Sequence, residues 1–122
     1  LLVEDNPVDQ ELAEQLLQAV GIVVTTANNG LEALACLERE QFDAVLMDCQ
    51  MPVMDGLNLT LRIKEDSMLK KLPVLLFSSL ITEKLRHKGV SVGADDQISK
   101  PEVTQLAHRA MALIKAREQD QA

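Results

Sequence analysis

Three short apolar runs and one weaker strand-like run in this chain end abruptly on residues that can do chemistry. Leu1-Leu2-Val3 stops at Glu4-Asp5, "AVLM" (44–47) at Asp48, "LPVLLF" at Ser78-Ser79, and "DQIS" at Lys100-Pro101. If these runs are strands pointing the same way, three carboxylates, hydroxyls and one ammonium share one sheet edge. Unpaired carboxylates so crowded repel, and one of them gains affinity for a proton. A divalent cation resolves the conflict. All-oxygen ligands select a hard ion, and a few carboxylates with waters and a phosphate suit Mg²⁺. No Cys/His cluster suggests zinc. Beside such an ion Asp48 can act as a nucleophile towards phosphorus, since carboxylates form aspartyl phosphates. The metal and Lys100 would neutralise charge on the phosphoryl oxygens, and Ser78 could donate a hydrogen bond to one of them.

The elements that must position these groups read as follows. Asn6-Pro7 opens a first helix, with Asn as N-cap and Pro at the first helical position. Val8, Leu12, Leu16, Leu17 and Val20 recur along it at helical spacing, and Gly21 closes it. The β-branched "IVVTTA" (22–27) is a second strand, broken by "NNG". A second helix carries Leu31, Leu34 and Ala35 and ends in "EREQ"; strand three, 44–47, then delivers Asp48. "LNLTLRIKED" is a third helix and "LPVLLFSS" (72–79) a fourth strand with Pro73 at its entry. "TEKLRHKGVSV" is a short polar helix followed by Gly93, "DQIS" a weak fifth strand, and Val103 to Ile114 an amphipathic last helix. Five β-α units with short connections predict an α/β fold, a parallel sheet between helices. Strands one, three and four are continuously apolar, as when both faces are covered. In such doubly wound sheets function gathers beyond the carboxyl ends of the strands.

Composition narrows the function classes. The 122 residues suit one domain with a real core, and 47% are hydrophobic. Only 2% are aromatic, so the core is aliphatic and stacking platforms for bases or flavins are disfavoured. A net charge of −7 lacks the basic footprint of a nucleic-acid binder. Cys36 and Cys49 form no CxxC pair, which favours a reduced, cytoplasmic protein with inert, buried or half-buried thiols. No apolar stretch approaches the roughly 18 residues of a membrane span, and no signal peptide is visible. The opening "LLVED", without Met, reads as the end of a strand, so upstream residues and other domains are expected.

The conjunction of Glu4-Asp5, Asp48 within "DCQMPVMDG", Ser78 and Lys100-Pro101 resembles a response regulator receiver domain over almost the whole chain. The resemblance implies a single flavodoxin-like doubly wound (βα)5 domain over 1–122, with a five-stranded parallel sheet in the order 2-1-3-4-5, an order of which receivers are themselves a known example. It implies that Asp48 accepts a phosphoryl group from a phosphohistidine on a histidine kinase or histidine phosphotransfer protein. Glu4, Asp5 and Asp48 would hold Mg²⁺ with the backbone carbonyl of Gln50, and Lys100 would contact the phosphoryl group, its bond to Pro101 being cis. Ser78 would be the switch hydroxyl, and helix four, strand five and helix five would carry the signal to an output domain or effector. Many receivers place an aromatic shortly before the lysine; here Gln97 stands there. Ser79 replaces a usually smaller residue.

Each motif alone has a plain reading. Asp55-Gly56 is a turn, Met51, Pro52 and Met54 are loop packing, and Glu4-Asp5 is a helix-start charge pair. Cys49 neighbours Asp48, but His87 and His108 fall on helices four and five and are read as surface residues. The conjunction on one edge outweighs these readings. A phosphatase of the haloacid dehalogenase type needs a second Asp two residues after the first, where Gln50 stands. A flavodoxin-like electron carrier would want a hydroxyl-rich loop after strand one. A phosphorylation-independent docking module on the same fold is the alternative, disfavoured by the intact Asp48 and Lys100. "VLMDCQMPVMDG" resembles receivers of hybrid sensor histidine kinases, and "FSSLITEKLRHKG" with "VGADDQISKPE" those of CheV-type chemotaxis coupling proteins.

Overall fold

The computed structural model describes residues 1–48, 56–78, 83–99 and 105–121. Strands and helices alternate as β1 (Leu2–Val3), α1 (Pro7–Ala19), β2 (Thr26–Ala27), α2 (Gly30–Arg39), β3 (Val45–Asp48), α3 (Gly56–Glu65), β4 (Val74–Ser78), α4 (Glu83–Ser91), β5 (Asp96–Ser99) and α5 (Leu106–Gln121). The strands form one parallel sheet in the order β2-β1-β3-β4-β5. Chain order and spatial order reverse between β1 and β3, and that is where the carboxylate-bearing strand ends meet.

The continuous apolar runs are explained by two cores, one on each face. Val3, Val45, Met47, Val74 and Leu76 pack with Ala33, Leu37, Leu59 and Ile63 of α2 and α3. Leu2, Leu46, Leu75, Phe77 and Ile98 pack with Ala13, Leu17, Leu106 and Ala110 of α1 and α5. Successive strand residues point to opposite faces, so β1, β3 and β4 leave no room for a polar position until the strand ends.

Local signals set the helix starts. Asn6 Oδ1 accepts from the Val8 and Asp9 amides at 2.9 and 3.2 Å, with Pro7 leading α1. Asn29 Oδ1 accepts from Glu32 N at 2.9 Å, and Glu32 reaches back to the Asn29 side chain at 3.2 Å, starting α2. Gly21 and Gly93 follow α1 and α4 at positive φ, where a side chain would be strained.

Two expectations shift. Strand two is confined to Thr26–Ala27, which pair with Leu2 and Val3 of β1. On α1, Ala13 and Leu17 are the buried pair, while Val8 is 74% and Leu12 46% exposed. At about 100° per residue, Val8 and Leu12 form their own stripe, turned away from the core-facing one. The tail "KAREQDQA" continues α5 as helix to Gln121. The Leu1 backbone nitrogen donates to the Ala44 carbonyl at 3.0 Å.

A polar knot ties the far end of the sheet together. Lys64 Nζ, from the end of α3, reaches Asp95 Oδ2 at 2.9 Å and the Leu72 carbonyl at 2.8 Å. The same Asp95 oxygen accepts from Val74 N at 2.8 Å, at the entry to β4. Lys64→Met keeps the stem but strands these acceptors. It is expected to lower stability by roughly 1–2 kcal/mol, read as the midpoint of urea unfolding; an unchanged midpoint would show the knot to be solvated rather than stabilising.

Candidate functional site

β1 ends at Val3, but its pairing continues one step further, since Glu4 N donates to the Ala27 carbonyl at 3.1 Å. That extra rung holds Glu4 at the edge of the sheet. Its side chain is fully buried, and Oε1 accepts from Asn6 N at 3.0 Å, so the carboxylate is fixed by the turn that starts α1. Asp5, the next residue, is exposed. Asp48 closes β3 and is 3% exposed. One carboxylate oxygen from each of Glu4, Asp5 and Asp48 can be chosen so that all lie within 4.8 Å of one another. The sequence expectation that these three converge is met in this geometry.

Ser78 closes β4, fully buried, with Asp48 paired to Phe77 and Ser78 paired to Ser99. Asp48 and Ser78 therefore stand at the ends of adjacent strands, one register step apart. Gln50, Lys100 and the Lys100–Pro101 bond lie outside the described residues, as do Cys49 and Ser79. Cys36 is a buried free thiol in the α2 core. His87 and His108 are exposed, on α4 and α5 as expected.

A polar support surrounds the cluster that sequence reasoning does not supply. Gln10 Nε2, one turn into α1, donates to the Glu4 carbonyl at 2.9 Å and to Asn28 Oδ1 at 3.2 Å. It thus joins the ends of β1 and β2 across α1. A signal for it exists: "NNG" follows the strand that neighbours β1, so its asparagines reach the same edge, where they do more than break the strand.

The chemistry of the donor set decides what fits. Three carboxylates this close repel, and charge of the opposite sign relieves them. The set is hard oxygen throughout, Glu4 and Asp48 are buried, and Asp5 lies open to solvent. It fits a small divalent cation of the Mg²⁺ type. Among the described residues no other group of three or more His, Cys, Asp or Glu is disposed to hold a metal, and no helix is long and apolar enough to cross a membrane.

Residues 1–111 match the model of the response regulator receiver domain family. The chain is 36% identical over 112 residues to hybrid signal transduction histidine kinase B of Dictyostelium discoideum, covering 83% of this chain and 6% of that protein. It is 34% identical over 103 residues to a gliding motility regulatory protein of Myxococcus xanthus, covering 84% and 13%. Among solved structures it is similar to the receiver domain of a Pseudomonas aeruginosa sensor histidine kinase described with a magnesium ion coordinated in its active-site cleft. That likeness has a TM-score of 0.84 at 32% identity and covers 93% and 94% of the two chains. A receiver domain of a Syntrophus aciditrophicus signal transduction histidine kinase gives a TM-score of 0.87 at 31% identity, covering 94% and 88%. The chain spans between 6% and about half of the length of these and other curated relatives.

Proposed function

The chain belongs to the response regulator receiver domain family, and from that premise we propose that it is the phosphoacceptor switch of a two-component system, with Asp48 as the residue phosphorylated. The observation that carries the reading is the gathering of Glu4, Asp5 and Asp48 within 4.8 Å at the β1/β3 edge. An Asp48 carboxylate oxygen attacks the phosphorus of a partner's phosphohistidine. The new P–O bond forms as the P–N bond breaks, and the imidazole nitrogen leaves with the electron pair. Glu4, Asp5 and Asp48, with the Gln50 carbonyl, would hold Mg²⁺, which when bound supplies positive charge to the phosphoryl oxygens. Ser78 donates its hydroxyl to a phosphoryl oxygen from the adjacent strand end, and Lys100 neutralises another. Asn6 and Gln10 orient the Glu4 segment rather than touch the reacting atoms.

The phosphodonor is a histidine kinase or a histidine phosphotransfer protein. The exposed Val8–Leu12 stripe begins within a turn of the cluster and offers such a partner an apolar step. Output leaves through the α4–β5–α5 face to an attached domain or effector, in the cytoplasm and without direct nucleic-acid contact. Both parents that the sequence resembles, a hybrid sensor kinase and a CheV-type coupling protein, use the domain at this same chemical step.

Acetyl phosphate supplies the test. With Mg²⁺ the intact chain is expected to gain the mass of one phosphoryl group, and with EDTA it is expected to gain none. No gain in Mg²⁺ sinks the phosphoacceptor reading and favours a docking module on the same fold.

A further inference from the structure

The Glu4–Asp5 peptide joins two of the three carboxylate residues of the cluster, and its two ends are placed differently. Glu4 is buried, with its amide on the Ala27 carbonyl at 3.1 Å, whereas Asp5 is exposed. A peptide unit is planar, so whatever fixes the Glu4 carbonyl also sets the direction in which the chain enters Asp5. That carbonyl accepts from Gln10 Nε2 at 2.9 Å. The same amide group has a second N–H, and it donates to Asn28 Oδ1 at 3.2 Å. Asn28 Nδ2 in turn donates to Glu32 Oε1 at 3.2 Å, and Asn29 Nδ2 donates to Glu32 Oε2 at 3.2 Å. One line of bonds thus links the end of β1, α1, the turn after β2 and the first turn of α2.

The line has a direction. A carboxylate accepts and does not donate, so Glu32 turns the NH₂ of Asn28 towards itself. The Asn28 oxygen is then left facing Gln10, which meets it with its own NH₂. A glutamine turned the other way would set its oxygen against both the Asn28 oxygen and the Glu4 carbonyl. The order of groups therefore delivers a donor, and not an acceptor, to the Glu4–Asp5 peptide.

We propose that Glu32, Asn28 and Gln10 form a polarised strut that sets the Mg²⁺ affinity of the acidic cluster by fixing the Glu4–Asp5 peptide from α2. This rests on the metal site of the function proposed above and adds what tunes it. Gln10 and Asn28 are positioning residues, since neither contributes a carboxylate to the donor set. Groups that orient metal ligands from behind shift metal affinity by about tenfold or more when removed. The inner bond is the strong one, because it is short and partly buried, while the outer two are longer and exposed. Gln10 therefore carries more of the effect than Asn28.

A MgCl₂ titration of the intact chain, followed by backbone amide resonances and by thermal unfolding, tests the strut. Gln10→Met keeps the length and the helix propensity and removes both donors; Asn28→Ala breaks the outer link. Neither changes a charge, so a change in affinity reports placement rather than electrostatics. The Mg²⁺ concentration that gives half of the full resonance shift is expected to rise about tenfold in Gln10→Met and about threefold in Asn28→Ala. The double variant is expected to match Gln10→Met, because the outer link has nothing left to orient. A purely structural strut would instead lower the melting temperature equally with and without Mg²⁺ and leave the half-point where it is. That outcome overturns the proposal, as does a double variant in which the two effects multiply. Should Asn28→Ala fail to fold, the Gln10→Met half-point decides alone. If the wild type responds to Mg²⁺ and Gln10→Met responds identically, only the strut fails. If the wild type itself shows no shift, the metal reading fails and the role of the strut with it.

Discussion

Asp48→Asn is expected to end phosphoryl uptake altogether while leaving the fold intact. The amide has the size of the carboxylate and sits at the end of a strand buried on both faces, so the sheet has no reason to repack. What it lacks is a nucleophilic oxygen, because the amide lone pair is committed to resonance and its oxygen carries no full charge. Intact mass after incubation with acetyl phosphate and Mg²⁺ should therefore show one added phosphoryl group on the wild type and none on the variant. The variant also removes one of three carboxylates lying within 4.8 Å. Pair repulsion at such a distance is worth roughly 3–4 kcal/mol at an effective dielectric of about 20, so stability in metal-free buffer should hold or rise, and the gain on adding Mg²⁺ should shrink. A variant that still gains a phosphoryl group places the acceptor elsewhere. One that unfolds shows Asp48 to be structural first.

The parts of this arrangement legible in sequence are those with a strong physical signature. A strand buried on both faces must be apolar throughout, so a charged or hydroxyl residue at its end stands out, as Glu4, Asp48 and Ser78 do. The start of α1 is legible because Asn6-Pro7 satisfies orphan amides with a short side chain, whereas Asn29, read only as breaking a strand, does the same for α2. The extent of β2 is not, since β-branched composition fixes propensity, whereas pairing decides which residues join the sheet, here Thr26 and Ala27. Helical periodicity groups Val8 and Leu12 with the core because a spacing of four marks a stripe without saying which stripe faces inward; Ala13 and Leu17 take that place.

The polar contacts that give the site its shape are the least legible. Gln10 reaching Glu4 and Asn28, Lys64 reaching Asp95, and Gln97 reaching Arg86 join residues 6 to 31 positions apart. Such bonds depend on the register of the sheet, which sequence pattern leaves open. Once β2-β1-β3-β4-β5 is set, they follow a common logic. At the carboxyl ends, polar groups orient carboxylates that repel. At the opposite end, Lys64 and Asp95 close α3 onto the entry to β4. Between them β1, β3 and β4 are apolar on both faces, while β5 carries Asp96 and the buried Gln97. Gln97 bonds to the Arg86 carbonyl of α4, a helix that buries only Gly89.

Glu4, one of the two buried members of the cluster, gives the sharpest test of metal binding. In Glu4→Gln the remaining side-chain oxygen can still accept from Asn6 N, the 3.0 Å bond that secures the turn into α1; only the charge is lost. With two carboxylates in place of three, Mg²⁺ affinity is expected to fall at least about tenfold. Ligand-linked stability makes this measurable without any activity assay. At an Mg²⁺ concentration about 100 times its dissociation constant, the wild type gains about 2.7 kcal/mol, and a tenfold weaker variant gains about 1.4 kcal/mol at the same concentration. Phosphoryl uptake from acetyl phosphate should fall at low Mg²⁺ and recover as Mg²⁺ is raised, because the nucleophile Asp48 is untouched. An unchanged Mg²⁺ titration excludes Glu4 from the donor set. A loss of uptake that no Mg²⁺ concentration restores assigns Glu4 to the Asn6 turn instead, with its carboxylate shaping α1 rather than holding the cation.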